Sequence, residues 1–186
     1  SDFNRAIEID PSFIGAFLRR GQLFHLLRQY SKAIEDINRA IQQNPKQVQP
    51  YLIRGQTFFA YQKYREAQKD FEEAVHLDPD SHEAFFWRGR TYQITGNATH
   101  SLNDYSRAIE LNPRFAEAYA NRGVVRYSRK KVRSAIADYE KALEVAPANW
   151  SYRKAVEGNL AKARKQLGST YVDRGNARVA KGDLAG

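Results

Sequence analysis

Five prolines, Pro11, Pro45, Pro79, Pro113 and Pro147, follow one another at intervals of 34 residues. A break placed at the same point of every period restricts the chain to a stack of similar modules, since proline ends a regular element wherever it recurs. Only Pro50 lies off this lattice. Other positions keep the step. A bulky aromatic recurs at Phe17, Tyr51, Phe85 and Tyr119, with a glycine four residues later at Gly21, Gly55, Gly89 and Gly123. A small residue recurs at Ala33, Ala67, Ser101 and Ala135, then a bulky apolar one at Phe3, Ile37, Phe71, Tyr105 and Tyr139, then Ala6, Ala40, Ala74, Ala108 and Ala142.

Within a period these positions are spaced by three and four, the helical period. Phe17, Gly21 and Phe24 share one face of a first helix; Ala33, Ile37 and Ala40 share one face of a second. The break between them falls near Gln29–Ser31, and Asn44-Pro45 ends the second. The spacing therefore predicts antiparallel helix pairs over 14–47, 48–81, 82–115 and 116–149. A mid-helix glycine costs about 1 kcal/mol relative to alanine. Its return one turn after each aromatic implies close approach of two helix axes beside a large ring. Residues 1–13 fit the end of a preceding second helix. From Trp150 the lattice slips: Arg153 and Glu157 would fall in the aromatic and glycine slots. Trp150, Val156, Leu160, Ala163 and Leu167 predict an extra amphipathic helix over 150–167. Residues 168–186, with Tyr171 and Gly175 in register, predict the first helix of a further, truncated unit. Modules cut at both ends imply an excerpt of a longer array, or ends that pair with another copy.

The combination Phe17-x-x-Arg20-Gly21-x-x-Phe24, Ala33-x-x-x-Ile37-x-x-Ala40 and Pro45, repeated well in Phe85, Arg88, Gly89, Tyr92, Ala108 and Pro113, resembles the tetratricopeptide repeat. The resemblance covers residues 14–149. It implies an all-α, right-handed superhelical solenoid of antiparallel helix pairs, whose concave face is lined by the first helices and binds proteins or peptides. On that basis the groove is lined by Leu18, Gln22 and His25, by Leu52, Gln56 and Phe59, by Phe86, Arg90 and Gln93, and by Val124 and Tyr127. Phe59 and Phe86 are the expected apolar anchors for an extended peptide or an amphipathic helix. The family's clamp for a terminal carboxylate is not assembled. Asn121 fills one slot, but Phe86, Arg90, Ser151 and Ala155 occupy the others.

Arginine precedes every lattice glycine at Arg20, Arg54, Arg88 and Arg122, and aspartate precedes the bulky second-helix slot at Asp36, Asp70, Asp104 and Asp138. Two readings follow: a ladder of ion pairs between helices, or arginines turned into the groove for acidic ligands.

Composition closes several other routes. The 186 residues contain no cysteine, which excludes disulfides, thiolate metal sites and a cysteine nucleophile. His25, His76, His82 and His100 lack ligand spacing, and no phosphate loop or nucleophile motif occurs. The expectation is a non-enzyme without cofactor or metal. Net charge is +9, and the densest basic run holds Arg126, Arg129, Lys130, Lys131 and Arg133, followed by Arg153, Lys154, Lys162, Arg164 and Lys165. This basic flank is either a solvated face or a surface for an acidic partner: a Glu/Asp-rich protein tail, a nucleic-acid backbone or an anionic membrane. Nucleic acid is disfavoured because no stacking or base-reading residues are evident. No apolar run is long enough to span a bilayer, the N-terminus does not read as a signal peptide, and the expected location is cytoplasmic. The expected function is an interaction scaffold. The alternatives are an element embedded permanently in a large assembly, or the regulatory repeats of a larger enzyme.

Overall fold

A computed structural model describes residues 2–180. The described residues form helices only: α1 (Asp2–Ile9), α2 (Ile14–Leu26), α3 (Tyr30–Gln43), α4 (Val48–Ala60), α5 (Tyr64–Leu77), α6 (His82–Ile94), α7 (Ala98–Leu111), α8 (Ala116–Ser128), α9 (Val132–Val145) and α10 (Arg153–Ala180). Helices α2, α4, α6 and α8 each have 13 residues, while α3, α5, α7 and α9 each have 14. The fold is an all-α solenoid of antiparallel helix pairs. Its residues cluster into two compact units, one ending at Asp104 and the other starting at Tyr105, with the division inside α7.

In the first unit α2 packs on α3 and α4 on α5, and each pair leans on the next through α3–α4 and α5–α6. The glycine rule has a direct cause. A Cβ on Gly55 would stand 2.6 Å from Cε1 of Phe71, and one on Gly21 would stand 2.9 Å from Cγ1 of Ile37. Phe71 and Ile37 are fully buried, so the glycines make the room these side chains occupy. Leu52, Ala67, Phe71, Ala74 and Ala84 form one core cluster, joining three successive helices.

Each turn from a first to a second helix repeats the same bonding. Arg28 N–H donates to His25 O and Gln29 N–H to Phe24 O; Gln62 and Lys63, Gly96 and Asn97, and Lys130 and Lys131 do likewise. This is the Schellman arrangement, which needs a left-handed residue. That residue is Arg28 (φ 58°), Gln62 (φ 62°), Gly96 (φ 84°) and Lys130 (φ 59°). At the other end of the pair an Asx turn marks the first four breaks: Asp10, Asn44, Asp78 and Asn112 accept through Oδ1 from the backbone N–H two residues on.

In the second unit α8 packs on α9, and α10 packs on α9 and on α8. Trp150, Val156, Leu160 and Ala163 are buried in one cluster with Ala135, Tyr139 and Ala142. Arg153 Nη2 donates to the carbonyls of Leu143, Ala146 and Pro147, satisfying the open end of α9. One expectation is corrected here. Where separate helices are predicted over 150–167 and 168–186, residues Arg153–Ala180 form a single 28-residue helix, α10. Gly168 is the only potential breaker at the predicted junction, and no proline or Asx turn accompanies it. An added Cβ at Gly168 or at Gly175 meets nothing within 4 Å, so these two glycines make no close helix approach. Residues 181–186 of the predicted truncated unit lie outside the described residues.

Candidate binding surfaces

In the first unit α2, α4 and α6 stand side by side, α2 touching α4 and α4 touching α6. The groove residues predicted there divide into rows. Leu18 is half-buried and packs on the cluster of Ala33, Ile37 and Ile53. Leu52 and Phe86, at the same register, are only 3% and 6% exposed. This corrects their assignment to a ligand-facing surface. Leu52 turns toward the neighbouring first helix, as its clustering with Ala84 shows, and the buried Phe86 is not an available anchor. The rows of Gln22, Gln56 and Arg90, and of His25, Phe59 and Gln93, are partly open.

The open rows have defined geometry. The Arg90 guanidinium lies 4.7 Å from the centroid of the Trp87 ring and 5.0 Å from that of Phe59. Phe59 meets Trp87 edge-on at 5.7 Å and Tyr64 at 5.3 Å. The result is a cationic shelf held by rings. His25 Nδ1 lies 3.0 Å from Thr57 Oγ1. Thr57 donates its own hydroxyl proton to Ile53 O at 2.7 Å, so Nδ1 of His25 is the donor and the neutral ring keeps Nε2 as an acceptor. Burial lowers the His25 pKa, which favours that neutral form.

The lattice arginines point inward, not into the groove. Arg20 grips Asp36 with Nε and Nη2, both at 2.7 Å. Arg54 grips Asp70 at 2.9 and 2.6 Å, Arg88 grips Asp104 at 2.8 Å twice, and Arg122 Nη2 meets Asp138 at 2.8 Å. The third guanidinium nitrogen reaches the preceding pair: Arg20 to Asn4, Arg54 to Asn38 and Arg122 to Ser106, at 2.9, 2.7 and 3.0 Å. The arginine thus joins two modules. The slot 16 residues before it escapes a reading of the sequence because it is filled by different hydrogen-bonding residues. Burial raises the Asp70 carboxyl against the lowering effect of Arg54, so desolvation offsets much of this pair's attraction.

The predicted basic patch is split. Arg126 Nη1 bonds Asp138 Oδ2 at 2.8 Å and is a second partner of that buried aspartate. Arg129 is exposed. Lys130, Lys131 and Arg133 line a cleft of about 550 Å³ with Val132, Ser134 and five residues of α10: Gln166, Leu167, Thr170, Tyr171 and Arg174. In the same unit Val124 and Tyr127 are half-buried, packed on the cluster that α10 completes. No group of three or more His, Cys, Asp or Glu residues able to hold a metal occurs among the described residues. None of the described helices is long and apolar enough to cross a membrane.

These features define a helical-repeat protein whose modules are 34-residue hairpins. Family models of the tetratricopeptide repeat match residues 14–47, 54–99 and 116–149, and a model of the TPR repeat matches 92–128. The chain belongs to the tetratricopeptide repeat family. No curated protein sequence matches it. Among solved structures, it is similar to TTC0263, a thermophilic TPR protein of Thermus thermophilus, with TM-score 0.74, 19% identity, and coverage of 86% of this chain and 87% of that one. It is also similar to MamA (TM-score 0.71, 21% identity, 77% and 84% covered). A third similar structure is YrrB, described as a TPR protein with an unusual peptide-binding site (TM-score 0.71, 18% identity, 90% and 84% covered). At these identities the likeness is one of fold.

Proposed function

We propose that the protein is a non-catalytic interaction scaffold that binds a peptide or helix of a partner protein on the first-helix face of α2, α4 and α6. Repeats of this family serve as protein-interaction scaffolds, and a similarly folded protein carries a peptide-binding site. The observation that carries the reading is the set of partly open groups on that face, of which His25 and Arg90 are held in place by neighbours. Gln22 and Gln56 offer amides, His25 offers a neutral acceptor, and the Arg90–Trp87–Phe59 stack offers a cation on an aromatic bed. Groups fixed before the ligand arrives lose little entropy on binding. The amides and His25 match the N–H and C=O of an extended backbone, and Phe59 supplies apolar contact. The buried Phe86 contributes to packing and leaves Phe59 as the accessible ring.

A peptide-display selection on the whole chain tests this. Selected peptides are titrated calorimetrically against the wild type, Gln56→Ala/Arg90→Ala and Phe59→Ala. Losses of roughly tenfold or more in affinity are expected for both variants. Unchanged affinity in both, with folding intact by circular dichroism, overturns the assignment of this face.

A further inference from the structure

The cleft between the α8–α9 turn and α10 shares no residue with the first-helix face, and we infer that it is a second binding site, one for a carboxylate-rich, acidic peptide segment. Four of its ten lining residues are cations, Lys130, Lys131, Arg133 and Arg174, and none is acidic. Lys130, Lys131 and Arg174 have no carboxylate partner among the described residues. Among the described residues Arg133 bonds a neutral group, the Tyr171 hydroxyl, and no carboxylate. These cations contrast with Arg20, Arg54, Arg88, Arg122, Arg126 and Arg164, each of which meets an acidic side chain. Four uncompensated cations around one concavity leave a local positive potential that a ligand's negative charge would neutralise.

The cleft is also built, not merely charged. Lys130 and Lys131 sit on the Schellman turn, where Lys131 N–H donates to Arg126 O at 2.9 Å and Lys130 takes φ 59°. Their backbone is fixed by bonds that every module repeats. Ser134 and Gln166 add uncharged donors, and Val132 and Leu167 add apolar surface. A volume of about 550 Å³ suits a few acidic side chains on a short segment, within the usual range of a ligand cleft.

Nucleic acid fits less well. Duplex recognition spreads cations along a track of phosphates, whereas these converge on one turn and one helix face. Single strands require free aromatic faces, and the one ring in the cleft, Tyr171, has the Arg133 guanidinium 5.4 Å from its centroid.

The test is fluorescence anisotropy with the full chain and a labelled oligoglutamate of about eight residues at low salt, with duplex DNA and phosphatidylserine vesicles in parallel. Lys131→Glu/Arg174→Glu is expected to weaken oligoglutamate binding by roughly tenfold or more. The uncharged pair Lys131→Gln/Arg174→Gln is expected to lie between that variant and the wild type. Arg19→Glu/Lys46→Glu, an equal charge change on exposed residues of the first unit, is expected to stay within about twofold of wild type. Equal losses in the two reversal variants would show a response to net charge alone and overturn the site. So would an unaffected Gln pair, or tighter binding of DNA or vesicles than of oligoglutamate. The Gln pair carries the test if the reversal variant fails to fold. The first-helix variants leave this assay unchanged, so failure here and failure of that face are separable.

Discussion

Ser101 occupies the small slot that Ala33, Ala67 and Ala135 fill elsewhere, and its buried hydroxyl oxygen has no hydrogen-bond partner. A buried, unmatched polar atom costs about 1–3 kcal/mol. Ser101→Ala removes the atom and restores the repeat's own solution, so we expect stabilisation of about 1 kcal/mol, read as a higher urea midpoint. The left-handed turn position offers a reciprocal pair of changes. Gly96→Ala meets no steric obstacle, since an added Cβ has nothing within 4 Å. It places a side chain at φ 84°, so the expected loss of about 1 kcal/mol is purely conformational. Gln62→Gly relieves the same strain but frees the unfolded chain, and its midpoint should shift by less. His25 adds a pH term. Burial depresses its folded pKa below the ordinary 6.5, so the unfolded chain binds the proton more readily. The resulting stability is complete above that ordinary value and is lost as pH falls through the folded pKa. Lowering pH from about 7.5 to about 5.5 should therefore cost the wild type more stability than it costs His25→Gln; equal losses would remove this account. These features show what a sequence hides at single positions. A left-handed residue announces itself when it is glycine, as at Gly96, but not as Arg28, Gln62 or Lys130, because only the turn's bonding compels the conformation.

At the scale of helices, the 34-residue lattice is readable because apolar period and breakers are local properties. Contacts made between modules are less so. Leu52 and Phe86 read as groove residues because a one-dimensional pattern does not reveal how closely neighbouring first helices pack. The α10 cleft joins residues about 40 positions apart, beyond any periodic signal. The arginine–aspartate pairs are visible as paired slots, although their orientation and the third contact, to Asn4, Asn38 or Ser106, are not. Their energetics differ from their appearance. Asp70 is 4% exposed, and removing it strands the Arg54 charge beside the core. Asp70→Ala should cost about 3 kcal/mol, the lower end of the range for a broken buried pair because Arg54 retains some solvent contact. Arg54→Met/Asp70→Leu should cost markedly less than the two single truncations combined, since no orphaned charge remains. A double-mutant cycle by urea denaturation measures the difference, and strict additivity would mean the two groups do not act as a pair. Gly55→Ala belongs to the same scale. The gain of about 1 kcal/mol in helix propensity is outweighed by about 1–3 kcal/mol of overpacking, because the new carbon would stand 2.6 Å from a fully buried ring.

Among the helix contacts resolved within each unit, every packed pair is adjacent in sequence or next but one, as in α2–α4, α4–α6 and α8–α10. A molecule wired in this way has no central core to melt at once, and stability becomes a sum of module terms and nearest-neighbour terms. Damage should then stay near its source. Trp150 is the clearest place to test this. Its indole is 8% exposed, belongs to the cluster of Tyr139, Val156 and Leu160, and donates from Nε1 to Glu117 Oε1 at 2.7 Å. One side chain thus fastens α10 to both helices of the preceding pair. Trp150→Ala removes that bond and leaves a cavity, at an expected cost of about 3–5 kcal/mol. Under nearest-neighbour coupling the loss appears as faster amide exchange in α8, α9 and α10, while α2 to α5 keep their protection. Exchange mass spectrometry on the intact chain reads both regions in one experiment. A uniform loss of protection from α2 onward would instead mean that the whole array opens as one cooperative unit. The same exchange map bears on binding, because α10 supplies Thr170, Tyr171 and Arg174 to the cleft. If the Trp150 fastening fails, oligoglutamate affinity should fall with it, although Trp150 does not line that cleft.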